Sequence, residues 1–225
     1  MDPPECSGHS HDHHDHEGDL GLSLRPHIDF PLVRCLNEDV PHSGRAILKL
    51  HEDRLSAHPV LKSQDDDPEL LLFVPFTEAV TIQSLSIRSV PSNDDERERS
   101  SAPPKHIKLF TNRDDLLDFE MARELPAEME FDVLPPHHFV EGTIDYPLRP
   151  AGRFQNISSL ALFVVNNYAE DDTNQEDPLS TIITYVGFKG KGSSVKRMAV
   201  ETVYESRGMK QDHKVKGEFG NHQIL

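Results

Sequence analysis

Residues 9 to 19 read HSHDHHDHEGD, five imidazoles and four carboxylates in eleven positions. Imidazole nitrogen is a common protein ligand for zinc, copper and nickel, so His9, His11, His13, His14 and His16 are the candidate metal ligands. A folded metal site also needs apolar neighbours to fix its ligands and outer hydrogen bonds to set their tautomers, and this stretch brings neither. Its metal affinity is expected to be incidental, and no cofactor is expected.

The other groups that could do chemistry lead away from catalysis. The chain has no G-x-S-x-G, no phosphate-cradling G-x-x-x-x-G-K-[ST] and no H-E-x-x-H. Its two cysteines, Cys6 and Cys35, form no C-x-x-C pair. Cys35 lies among apolar residues and is expected to be a buried, unreactive thiol, because a low thiol pKa requires exposure as well as nearby positive charge. His137 and His138 follow Leu134-Pro135-Pro136 and read as a loop. Glu170, Asp171, Asp172, Glu176 and Asp177 are oxygen-rich but lack the D-x-[DN]-x-[DN]-G spacing of a calcium loop, and read as a solvated connection. A non-enzyme is expected.

Formal charge is −16, which disfavours direct nucleic-acid contact and anionic membranes. The sign reverses locally. From Lys189 to Lys216 eight Lys and Arg stand against Glu201, Glu205 and Asp212. Lys189, Lys191, Lys196 and Arg197 form the candidate partner-binding surface, since a basic segment on an acidic chain can orient association with an acidic partner. Few cysteines, no cationic leader and no run of 18 apolar residues point to a soluble protein of the cytoplasm and nucleus.

The elements that must position these groups read mostly as strands. Residues 1–24 carry six acids, five histidines and no Lys or Arg, too little apolar surface to offset ordering entropy, and are expected to be a disordered tail. Leu32, Val33, Cys35 and Leu36 suit a docked helix or turn. RAILKL (45–50) reads as a short strand and ELLLFVPF (69–76) as a buried one that ends, or lies at an edge, at Pro75. In VTIQSLSIRSV, a β-bulge near Gln83-Ser84 would bring Val80, Ile82, Leu85 and Ile87 to one face. A charged loop (89–104) precedes KHIKLF, and residues 112–124 are too irregular for more than one helical turn. EMEFDVL, GTIDYPL, FQNISSLALFVVNN, STIITYVGFKG and MAVETVYES complete eight or nine strands. Hardly any helix remains, so the expected fold is all-β, two packed antiparallel sheets.

Several of these blocks, in order, resemble the PITH family, named for the proteasome-interacting module of a thioredoxin-like protein. The matching positions are Pro75-Phe76, Ser86-Ile87, Pro104, Lys105, Lys108, Phe110, Asn112 and Asp118-Phe119. They continue through Phe154, Asn156 and Leu160 to Thr181, Ile183, Tyr185 and Gly187. The histidine-rich start resembles stand-alone members rather than the thioredoxin fusion. The resemblance places the domain at residues 25–217, with 218–225 a flexible C-terminus. It implies a jelly-roll β-sandwich of the galactose-binding-like type, acting as a monomer in association with the 26S proteasome regulatory particle. It also implies a link to transcription during differentiation. The alternative is a small-ligand or glycan-binding sandwich, against which stand the absence of Trp and the presence of only four Tyr for sugar stacking.

Overall fold

The computed structural model describes residues 21–90, 101–113, 117–135, 142–171 and 178–193. Eleven strands occur among them: β1 (Leu22–Ser23), β2 (Arg34–Leu36), β3 (Leu61–Lys62), β4 (Leu70–Arg88), β5 (Ser101–Ala102), β6 (Pro104–Thr111), β7 (Met129–Asp132), β8 (Ile144–Pro147), β9 (Ile157–Asn167), β10 (Ser180–Ile183) and β11 (Tyr185–Gly192). Two short helices accompany them, α1 (Ser43–Ala46) and α2 (Phe119–Glu124). The main sheet runs β1-β11-β4-β9-β6-β7, with β2 and β8 also paired to β4, and its pairings are antiparallel. A small sheet runs β3-β10-β5. The all-β expectation holds.

β4 organises the sandwich. Its first half lies between β2 and β9 and its second half between β11 and β8, so one strand serves both layers. Inward side chains of both halves, Leu70, Leu72, Val74, Val80, Ile82, Leu85 and Ile87, meet Leu160, Leu162, Val186 and Phe188 in one core. The bulge lies where the hydrophobic pattern requires it. Ser84 faces Lys189 and Ile82 faces the next residue, Gly190, leaving Gln83 as the extra residue. Gly190 is required there, since a Cβ would sit 2.0 Å from the Thr81 carbonyl oxygen.

Pro75 does not end the strand as expected. It pairs with Ser159, and its carbonyl accepts from the Asp29 amide at 2.9 Å. The regular β9 ladder breaks between Pro75 and Val80, so the missing N–H marks a change of partner rather than a terminus. RAILKL is likewise not a strand. Its first residues belong to α1, because the Glu38 carboxylate accepts from the His42 amide (2.6 Å), the Gly44 amide (2.8 Å) and the Ser43 hydroxyl (3.3 Å) and satisfies that turn from outside. Ile47 and Leu48 then enter the core, where the Ile47 carbonyl receives the Val186 amide at 3.2 Å. The stretch around Cys35 forms a 3₁₀ turn (Phe30–Leu32) followed by β2 rather than a docked helix, and Leu32 is exposed. STIITYVGFKG is two strands, because the Thr184 amide and hydroxyl both donate to the Arg88 carbonyl and redirect the chain from the small sheet to the main one.

The helical turn expected in 112–124 is α2. Asp118 caps it by accepting from the Met121 amide at 2.8 Å, worth ~1 kcal/mol. It covers the outer face of β9, where Phe119 packs on Phe163 with ring centroids 6.0 Å apart and Ala122 joins Phe110 and Ala161. Both faces of β9 are therefore dry, which explains its continuous apolar run. At the N-terminus the fold takes in residues within the span read as tail: Leu22 and Ser23 pair with Gly190 and Lys189, and Leu24 is in the core.

Candidate functional site

Two open hollows adjoin where the chain leaves β1 and where it passes from α1 into residues 51–54. One, of about 490 Å³, is lined by Arg25, Phe30, Arg45, Lys49, Leu50 and Asp53, among others. The second, of about 430 Å³, is lined by Ser23, Arg25, Leu50, His51, Glu52 and Arg54. Arg25 and Leu50 line both, so the two form one groove.

Local structure fixes the cations of this groove. Arg25 lies over the Phe30 ring, its Cζ 4.7 Å from the centroid, and its Nε donates to the Leu48 carbonyl at 2.9 Å. Lys49 is mostly buried along its stem, and its Nζ donates to the Ser56 carbonyl at 2.9 Å. Arg54 Nη1 donates to the His51 carbonyl at 2.9 Å. A guanidinium has five N–H donors, so one bond to a neutral carbonyl leaves most of its donors and its whole charge available. Among the described residues, none of Arg25, Arg45, Lys49 or Arg54 makes an ion pair, whereas Arg123 and Lys189 do, with Glu69 and Asp145. Burial, reinforced by the positive Arg88 and opposed by the Asp53 carboxylate, lowers the pKa of the Lys49 ammonium, and burial also lowers that of Arg88.

The expected site residues fare differently. Lys189 is bound to Asp145 (Nζ to Oδ2 2.5 Å) across β4 and is not a free cation. Lys191 is exposed, while Lys196, Arg197 and the five tail histidines lie outside the described residues, as do His137, His138 and most of the acidic 170–177 cluster. No group of three or more His, Cys, Asp or Glu among the described residues could hold a metal ion. Cys35 is half-buried, and its thiol pKa is pushed well up, first by burial and then by the Glu38 carboxylate, which disfavours the reactive thiolate at neutral pH. Among the described residues two imidazoles contact carboxylates, His27 with Glu78 at 2.7 Å and His106 with Asp132 at 2.8 Å and Glu130 at 4.0 Å, yet neither imidazole is hydrogen-bonded to a hydroxyl or thiol there. Of the four tyrosines, three are described and none offers an open platform: Tyr185 is buried, Tyr146 stacks on Phe131, and the Tyr168 hydroxyl donates to the Val133 carbonyl at 2.6 Å. Among the described residues no helix is long and apolar enough to cross a membrane.

Sequence reasoning missed the groove. The available signal was HSGRAILKLHEDR (42–54), three cations against two acids in a strongly acidic chain.

Comparison with known proteins adds a family. A model of the PITH domain matches residues 14–208. PITH domain-containing protein 1 of Dictyostelium discoideum is 32% identical over 210 residues, 93% of each chain. A PITH domain-containing protein of Drosophila melanogaster is 31% identical over 95% of this chain and 96% of its own. Mouse PITH domain-containing protein 1 is 28% identical over 95% and 86%. Solved structures similar in backbone course include the CBM32-3 module from a family 31 glycoside hydrolase of Clostridium perfringens (9% identity, 73% of this chain and 95% of that one, TM-score 0.49). An F5/8 type C domain from Bacteroides fragilis gives 8% identity, 77% and 98% coverage, and TM-score 0.49.

Proposed function

The chain belongs to the PITH domain family, and on that premise we propose that it is a non-catalytic protein-interaction module that docks as a monomer on the 26S proteasome regulatory particle in the cytoplasm and nucleus. The groove around Arg25 is the docking surface of this proposal. The observation that carries it is the set of four cations lining the groove, none in an ion pair among the described residues and three of them held by backbone carbonyls or an aromatic ring, on a chain of charge −16. The family resemblance supports the choice of partner. The internal use of the described tyrosines weighs against the glycan reading, since sugar stacking needs an exposed ring.

The test is co-sedimentation of the full-length chain with purified regulatory particle. The wild type is expected to travel with the particle, and Arg45→Glu with Arg54→Glu to lose it, more so at low salt. Failure of the wild type to travel would overturn the choice of partner; retention of the reversed variant would move the surface elsewhere.

A further inference from the structure

Resting on that reading of the groove, we infer that its ligand is a linear acidic peptide segment with aliphatic side chains among its carboxylates. Three features of the groove select this chemistry.

The first is how the charge is spread. Arg45 and Lys49 line one hollow, Arg54 the other, and Arg25 lies between them. A phosphate group is held by several donors converging on one point. Here the cations are divided between two compartments, and each compartment also has a carboxylate, Asp53 in one and Glu52 in the other, which would repel a compact dianion. Single carboxylates spaced along a chain meet the cations one at a time.

The second is the apolar surface. Leu50, 44% exposed, lines both hollows. Leu32 and Leu55 are also exposed and adjoin the lining residues Pro31 and Arg54 in sequence. Exposed Leu50 beside cations that make no ion pair among the described residues suits a partner that offers both a carboxylate and a methyl-rich side chain, which a nucleic acid or a bare anion does not.

The third is order already present in the free protein. Arg25 is held by Phe30 and the Leu48 carbonyl, Lys49 by the Ser56 carbonyl and Arg54 by the His51 carbonyl. Little side-chain freedom remains to be lost when a ligand arrives.

The experiment is fluorescence anisotropy on the full-length chain, with a short fluorescein-labelled peptide alternating Asp, Leu, Glu and Ser. Its comparators are the same peptide with Lys for each acid, the same peptide with Ala for Leu, and inorganic phosphate as competitor. The acidic peptide is expected to bind and to weaken as salt rises. Its Kd should rise tenfold or more in Arg45→Glu with Arg54→Glu, and stay unchanged in Arg113→Glu, an exposed arginine beyond β6. Leu50→Asp, at an exposed position, should repeat the loss without touching an arginine. The Lys peptide should not bind, and the Ala peptide should bind several-fold more weakly. Equal binding by the reversed variant and the wild type would overturn the inference, as would phosphate displacing the peptide at matched concentration. No peptide binding together with capture of the regulatory particle would sink this inference and leave the partner standing; peptide binding without particle capture would do the reverse.

Discussion

Leu24→Ala tests whether the core takes in residues before Arg25. Leu24 is 1% exposed in the main core, and its amide donates to the Phe188 carbonyl at 2.8 Å. Leu22, two residues earlier and in β1, is 83% exposed. Truncating a buried leucine removes roughly 2–3 kcal/mol of transfer free energy and leaves a cavity, about 3 kcal/mol together, while the same change at an exposed position costs no more than ~0.5 kcal/mol. In a domain of this size 1 kcal/mol corresponds to roughly 2–4 °C, so Leu24→Ala should lower Tm by roughly 6–12 °C and Leu22→Ala by less than ~2 °C. Urea unfolding should show the same difference through the midpoint with an unchanged slope. Deletion of residues 1–20 should behave like Leu22→Ala, whereas deletion of 1–24 should cost at least as much as Leu24→Ala, because the pairing of Ser23 with Lys189 goes too. Equal midpoints for the two leucine variants, or equal cost for the two deletions, would refute the reasoning.

Lys49→Met should raise the urea midpoint of the free protein near neutral pH, because the charge it removes is disfavoured by burial and Arg88 more than Asp53 and the Ser56 carbonyl favour it, while the stem is kept. The sign with pH follows: the folded Lys49 pKa lies below its unfolded value, so the folded state binds fewer protons in the window between them and wild-type stability rises there. The advantage of Met should therefore shrink as urea melts are taken toward the ordinary lysine value. Glu38→Ala should cost about 2–3 kcal/mol in the same assay, since three donors around α1 lose their acceptor. In a Cys6→Ser background, Cys35 should react with a chromogenic disulfide at least tenfold more slowly in native protein than in urea; equal rates would mean that the thiol is not buried.

Much of the fold was legible because strand periodicity is a local property. The bulge at Gln83 could be placed from four apolar side chains that must share a face, and the half-buried alternation of Met129, Phe131 and Val133 sufficed for β7. What was not legible depends on which particular acceptor a donor finds, near in sequence or far. α1 exists because Glu38 reaches three donors beyond its own turn, and the break between β10 and β11 exists because Thr184 finds the carbonyl of Arg88. A pattern of apolar residues holds neither fact.

The site illustrates the same limit through charge. Lys189 looked available in the sequence, but β8 brings Asp145 across β4 to neutralise it. Arg45 and Lys49 lie in a stretch that read as a strand, and the fold gathers them with Arg25 and Arg54 where, among the described residues, none of the four forms an ion pair. Whether a cation is free is thus decided by tertiary neighbours, not by its flanking residues. This matters more on an acidic chain than on a neutral one. A net −16 repels an acidic partner from most approaches within a Debye length, so a groove lined by cations that make no ion pair among the described residues both attracts such a partner and selects its orientation. Reversing two arginines should therefore slow association as well as weaken the complex, because steering acts before contact and the surrounding acidity would then face the partner without interruption.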